Sequence, residues 1–421
     1  MRPPLHCDLF CTVIDNYGDA GVCWRLARQL AAECGWRVRL FIDAPEALAA
    51  LLQTPLPPLW DEPGEHAASD ETARDQAAEN ETARDGFAVD GVLIAPWPAP
   101  DAGTRVAGIV IEAFACELPA HYLQAMARRA PSPAWINLDY LSAEEWVRTC
   151  HLGRSPHPRL GLEKTFFFPG FTPGTGGLLR ERDFDQQRRA FLGDAAARAS
   201  FWKRLDVAPP PARTRLITLF AYENPALEAL LVQWSHGAED ILLLVPEGRI
   251  SAAVARFFDL PAFTAGTRAE RGRLRAQALP FIDQQAYDRL LWQADLNFVR
   301  GEDSFVRAQW AERPFVWHIY PQQDDAHLDK LDAALAAYTQ ALPAAAAATV
   351  ARFWHAWNGA PRAAGARADA ACAPRAADPD WQSWRQLDAT LRAHARPWVD
   401  TLRQAGSLAA NLAELVESRL K

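Results

Sequence analysis

Apolar positions along the first part of the chain follow two alternating rhythms. Residues 8–14 (DLFCTVI) form a short, nearly continuous apolar run, the pattern of a strand buried on both faces of a parallel sheet. The turn residues DNYGDAG come next, and Val22, Leu26 and Leu30 then recur four apart, which is one face of a helix. Residues 37–42 (RVRLFI) predict a second strand. Strand, turn, helix and strand in this order make a βαβ unit, and such units build parallel sheets with right-handed crossovers. Further strands are predicted over 106–111 and 135–138.

Between these strands the pattern lapses. Residues 61–90 are acidic, alanine-rich and nearly free of large apolar side chains, and ETARD occurs twice, at 71–75 and 81–85. Such a segment cannot bury a core, so it reads as a flexible surface insertion without a catalytic part. A cluster of Pro, Gly and Phe spans 164–177, a charged helical stretch covers 178–205, and Pro209, Pro210 and Pro211 interrupt regular structure. The rhythm then resumes, with strands predicted at 215–220, 241–245, 279–282, 295–299 and 314–318 separated by helical patterns, hence a second parallel sheet. From Asp324 the chain reads as helix, except for a loop over 363–380, and 381–420 closes with amphipathic helices.

Composition narrows the possible functions. The 421 residues are 49% hydrophobic and 23% charged, ordinary globular proportions. A net charge of −8 without a basic run argues against nucleic acid as a partner. Of the 44 cationic residues only Lys164, Lys203, Lys330 and Lys421 are lysines, an arginine bias that reflects composition rather than function. Seven scattered cysteines contain no CxxC pair, which predicts buried thiols in a reducing compartment. The start MRPPLHCDLF lacks a cationic region followed by an apolar run, and no apolar stretch reaches the ~18 residues of a membrane span, so a cytoplasmic protein without a membrane partner is expected.

Phosphate-loop, dinucleotide and zinc signatures are absent, and the Asp378-Pro379-Asp380 triplet lies in a tail loop rather than at a strand end. Three strand ends carry candidate chemistry, because ligands of open parallel sheets bind at the carboxyl ends of strands. At the first, Asp15 and Asp19 flank Gly18, with Gly21 just beyond. They read either as a pair holding a nucleophile and taking its proton, or as a polar turn with one Asp capping the next helix. At the second, Arg300-Gly301-Glu302-Asp303-Ser304 leads a strand into a helix whose first N–H groups can hold a diphosphate. Asp303 or Ser304 would be the cap and Arg300 the added positive charge, and the alternative is a surface turn. At the third, Phe220 and Tyr222, with Phe281 and Gln284 after a later strand, suit stacking on a nucleobase and reading of its edge, or are simply core aromatics. His318 and His327 lie near these strand ends in no pairing pattern.

Three long blocks, FCTVIDNYGDAGVCWRLARQL, FFFPGFTPGTGGLLRE and NFVRGEDSFVRAQWAERPFVWHIYPQ, resemble the bacterial protein-arginine rhamnosyltransferases that modify elongation factor P. The likeness covers most of the chain in the same order, apart from the ETARD insertion and the alanine-rich region near the end. It implies an α/β protein of GT-B architecture, with two facing Rossmann-like domains and a C-terminal helix returning to the first. The corresponding segments are 1–208 on the acceptor side, 209–380 for the nucleotide sugar, and 381–421 crossing back. It implies transfer of L-rhamnose from dTDP-β-L-rhamnose to an arginine of elongation factor P, with inversion and with neither metal nor cofactor. By match of motifs, Asp15 and Asp19 are the functional carboxylates, Asp19 the favoured base, and Glu302 the essential acid of the second domain. Phe220, Tyr222, Phe281 and Gln284 would hold the nucleotide, and Arg300, Asp303, Ser304 and Tyr320 the sugar and diphosphate. Ala20 stands where a larger aliphatic residue is expected. Two other readings are a GT-B transferase with another nucleotide sugar and acceptor, and a non-catalytic protein that binds a translation factor.

Overall fold

The computed structural model describes residues 4–15, 17–54, 87–97, 105–322, 325–359 and 377–419. Both ETARD copies and most of the expected insertion lie outside them. The chain divides into two units, residues 1–182 with 402–421 and residues 183–401. The division falls before the helices Phe184–Gly193 and Ala195–Arg204, where the sequence suggested a boundary after residue 208. The first of these helices packs through Phe184 and Phe191 onto Trp292 of the second unit, at ring separations of 5.5 and 5.7 Å, and Phe201 of the second packs edge-on against Phe191.

The first unit is built on an eight-stranded sheet. Its strands are β1 (His6–Cys11), β2 (Arg37–Ile42), β3 (Phe87–Val89), β4 (Val92–Pro96), β5 (Ile109–Ala113), β6 (Ala134–Leu138), β7 (Arg154–Pro156) and β8 (Glu163–Phe167), in the spatial order β3-β4-β2-β1-β5-β6-β8-β7. All pairs are parallel except the edge hairpins β3/β4 and β7/β8. β3 uses the last residues of the segment read as an insertion, so Phe87–Val89 belongs to the sheet. β1 and β5 are central and buried on both faces, which their largely apolar runs foretold. Val22, Leu26 and Leu30 are buried, and the helix Gly18–Cys34 ends at Gly35, whose positive φ (68°) lets its N–H bond back to Leu30 O. On the opposite face of the sheet Phe10 stacks on Phe41 with centroids 4.5 Å apart.

The FFFPGFTPGTGG block now has a structural cause. Its first residues end β8, and the glycines then allow a close backbone crossing. A Cβ on Gly177 would lie 2.5 Å from the Gly406 carbonyl oxygen, and Leu408 N–H donates to Leu178 O (3.0 Å). This crossing seats the final helix Leu408–Arg419 against the helix Gly18–Cys34, with Leu408, Leu412 and Val416 buried.

The second unit has a six-stranded sheet of β9 (Arg215–Leu219), β10 (Ile241–Pro246), β11 (Arg268–Arg271), β12 (Leu274–Leu279), β13 (Leu296–Arg300) and β14 (Phe315–His318), ordered β11-β12-β10-β9-β13-β14 and parallel except for the edge strand β11. Its core includes Trp234, Phe298 and Trp357, with Phe298 centred 4.8 Å from Trp357. The strand expected over 279–282 lies earlier, because Pro280 has no N–H to continue the ladder. The expected helix over 178–205 is two helices. Asp194 breaks it and caps the second by accepting from Ala196 and Ala197 N–H (2.9 and 3.0 Å). Asp380 likewise caps the helix Trp381–Gln386 by accepting from Ser383 N–H at 3.0 Å. The described cysteines are all free, and Cys7, Cys11, Cys23 and Cys116 are buried.

Candidate active site

The first candidate region forms where β1 runs out. The sequence extends the strand to Ile14, but after Cys11 the backbone leaves the ladder and its N–H groups turn to carboxylates. Val13 N–H donates to Asp43 Oδ1 (2.9 Å), while Ile14 and Asp15 N–H both donate to Asp19 Oδ2 (2.7 and 2.8 Å). Asp19 lies in the first turn of the helix Gly18–Cys34, where the helix dipole favours an anion, and it is 3% exposed. Neither acid is the N-cap, a position held by Tyr17, which makes no side-chain cap bond.

Gly18 explains where Asp15 lies. Gly18 N–H donates to Asp15 O at 2.7 Å, and a Cβ at Gly18 would come 2.9 Å from Asp15 Oδ2, so glycine leaves room for that carboxylate against the helix start. The two acids therefore differ. Asp19 points inward and holds the turn with Oδ2, while among the described residues no donor occupies its Oδ1. Asp15 is half-buried at the rim, beside Ile14, which is 64% exposed.

The second and third regions adjoin one another in the second unit. Phe220 and Tyr222 follow β9, Arg300 ends β13, and the Arg300 guanidinium carbon lies 4.4 Å from the Phe220 ring centroid and 4.7 Å from that of Tyr222. Two aromatic faces thus position one cation, an arrangement suited to the planar guanidinium. Tyr222 is 4% exposed and meets His318 and Tyr320 edge-on at 5.3 and 5.4 Å, so its ring supports Arg300 more than it offers a free stacking face. Phe220 is half-buried, with Tyr287 edge-on at 5.7 Å. Phe281 is half-buried in the loop after Pro280. Asp283 then caps the helix Gln284–Gln293, and Gln284 Nε2 donates to Asp303 Oδ2 (3.2 Å).

The turn after β13 departs from the expected cap. Gly301 takes a positive φ of 58°, Glu302 occupies the N-cap position of the helix Asp303–Trp310, and it makes no side-chain cap bond. Ser304 does not cap either. Its Oγ accepts from Arg300 N–H at 3.0 Å and donates to Arg300 O, which ties the helix start to the strand end. Neither Glu302 nor Ser304 caps the helix with its side chain, and the start of a helix is a setting that favours an anion. Burial, Arg300 and His327 together push the His318 imidazole down to about 3, so it is neutral beside that cation. Among the described residues no three of His, Cys, Asp and Glu group as a metal site, and no helix is long and apolar enough to cross a membrane.

Sequence reasoning located the three strand ends and the helix that begins near Asp303, but not Asp43, nor the ties that pair this helix with the helix Gln284–Gln293. The four-residue spacings 284/288 and 303/307, each on one helix face, were the available signal for that pairing.

Two Rossmann-like α/β units, one with a carboxylate turn and the other with a cation and a helix start at its strand ends, place the chain among GT-B glycosyltransferases. It belongs to the family described as elongation-factor-P (EF-P) rhamnosyltransferase EarP, which it matches over residues 7–59 and 69–417. It is 44% identical to a protein-arginine rhamnosyltransferase of Pseudomonas aeruginosa, over 97% of each chain. To the corresponding protein of Shewanella oneidensis it is 37% identical, over 98% of each. A solved structure, described as the structural basis for EarP-mediated arginine glycosylation of translation elongation factor EF-P, superimposes with a TM-score of 0.63. It is 32% identical and aligns over 98% of this chain and 99% of its own.

Proposed function

We propose that this chain transfers L-rhamnose from dTDP-β-L-rhamnose to an arginine side chain of elongation factor P, in the cytoplasm, inverting the anomeric carbon without a metal. The observation that carries the reading is the family match across nearly the whole chain, in which Asp15, Asp19, Glu302 and Arg300 all stand at parallel-strand ends. The arginine acceptor sets the chemical problem. Its pKa lies above ~12, and each unit of deprotonation at neutral pH costs about 1.4 kcal/mol. Prior loss of the proton is therefore expensive. Asp15 at the rim would orient the guanidinium, and Asp19 Oδ1 would take the proton from its nitrogen as that nitrogen bonds to the anomeric carbon.

The bond from that carbon to the diphosphate oxygen breaks on the opposite side, and its electron pair leaves with dTDP. In the second unit the N–H groups at Asp303 and Ser304, with the Arg300 guanidinium, stabilise that leaving charge, and the Tyr320 hydroxyl adds a donor. Phe220, Phe281 and Gln284 hold the nucleotide, and Tyr222 serves that site by backing the Arg300 guanidinium. Glu302 and Asp303 accept from sugar hydroxyls. The neutral His318 adds no second charge next to Arg300.

Donor and stereochemistry are tested together by supplying dTDP-β-L-rhamnose, UDP-β-L-rhamnose and dTDP-glucose separately and assigning the product anomer by NMR. The expected result is an α-linked rhamnosyl-arginine formed fastest from the dTDP donor. A β-linked product would refute inversion, and equal rates from all three would refute the donor assignment.

A further inference from the structure

The two helices whose first residues carry Gln284 and Asp303 are tied side by side at two levels. Near their starts Gln284 Nε2 donates to Asp303 Oδ2 (3.2 Å). One turn further along each, Arg307 grips Asp288 through both carboxylate oxygens, Nε to Oδ1 at 2.9 Å and Nη2 to Oδ2 at 2.7 Å. Positions 284 and 288 share one face of the first helix, and 303 and 307 share one face of the second. Asp288 is 5% exposed and Arg307 2%, and the Phe184 ring lies 4.4 Å under the guanidinium, so neither charge meets water or a ligand. Between the two levels, the buried Tyr287 hydroxyl lies against Ser304 without hydrogen-bond geometry.

A buried ion pair is a poor source of stability, since desolvating both charges offsets most of their attraction and well-packed apolar residues usually serve as well. Its distinctive property is direction. Two parallel N–H···O bonds fix the rotation and spacing of one helix against the other in a way that dispersion contacts do not. Here the fixed quantity is the separation between Gln284 and the helix start at Asp303 and Ser304, which means the separation of the base-reading group from the diphosphate-binding group.

We infer that Asp288 and Arg307 are positioning residues for the donor nucleotide, setting the distance between its base and diphosphate subsites without touching it. The inference rests on the reading of this half as the nucleotide site. Asp288→Asn should weaken dTDP binding at least about tenfold, because small misplacements of binding groups carry losses of this order. The KM for donor should rise correspondingly, with kcat at saturating donor little changed. Because that variant takes the Asp288 charge away from the buried Arg307, the deciding variant is the double substitution Asp288→Leu with Arg307→Met, which removes both charges. Calorimetric titration with dTDP and with UDP, together with thermal unfolding, reads the outcome. Recovered unfolding temperature with dTDP affinity still reduced supports positioning. Recovery of both, or Asp288→Asn binding dTDP like the wild type, overturns it. Wild-type protein that binds neither nucleotide overturns the nucleotide-site reading and this inference with it.

Discussion

Substituting Asp19 by asparagine separates two roles that the structure assigns to one side chain. Asp19 Oδ2 accepts from Ile14 and Asp15 N–H, and it does so from a buried position. Asparagine keeps an acceptor oxygen in the same place, so both bonds survive in neutral form. Charge-assisted bonds are roughly twice as strong as neutral ones, so about 1 kcal/mol of stability should be lost in total. Alanine would remove both bonds. At about 1.5–3 kcal/mol for each bond to a charged group, less what water recovers at this partly exposed turn, the loss should be about 2–4 kcal/mol. Catalysis should respond in the opposite proportion. An asparagine cannot take a proton, so transfer should fall by about 10²- to 10⁴-fold while dTDP binding, which belongs to the other unit, stays unchanged. Thermal unfolding, nucleotide calorimetry and a single-turnover transfer assay on both variants give the comparison. Near-normal transfer by Asp19→Asn would show that the carboxylate only holds the turn, and would move the proton acceptor to Asp15.

Three further outcomes follow from particular contacts. Arg300→Lys keeps the charge but loses the planar group between Phe220 and Tyr222, so donor affinity should drop by about 1–2 kcal/mol, and an unchanged dissociation constant would contradict that role. Gly177→Ala forces a left-handed φ of 73° and a Cβ 2.5 Å from Gly406 O. Chemical denaturation should show a loss above about 2 kcal/mol, and wild-type stability would mean the crossing is looser than described. His318 has a folded pKa of about 3 against about 6.5 when unfolded, so the unfolded chain binds the extra proton. Its contribution is complete above about pH 6.5 and is lost as pH falls toward 3, amounting to about 2 kcal/mol by pH 5. His318→Phe should flatten this part of the stability profile, and an identical pH dependence would refute it.

The central strands were legible because both their faces are buried, which makes β1, β5, β9 and β13 mostly apolar. β3, β7 and β11 escaped notice because short edge hairpins bury little and leave almost no pattern. β8 was hidden inside a Phe- and Pro-rich block. The three strand ends of the candidate site were legible for a related reason, since polar residues after an apolar run mark where backbone leaves the sheet. What each side chain does there was not. Spacing cannot show that Asp19 turns inward to hold Ile14 and Asp15, that Ser304 bonds back to Arg300 instead of capping its helix, or that Tyr222 lies beneath a guanidinium. Those facts depend on rotamers and on partners distant in sequence. Asp288 and Arg307 are the sharpest case: each looks like a solvated charge within an ordinary helix, and only the packing of the two helices shows otherwise.

The central claim is transfer of a deoxyhexose to arginine. It is tested most directly by incubating the purified chain with dTDP-β-L-rhamnose and elongation factor P and mapping the product by tandem mass spectrometry. The account predicts one deoxyhexose on a single arginine, absent when Asp19→Asn replaces the wild type. An unmodified factor, or a sugar on any residue other than arginine, would contradict it.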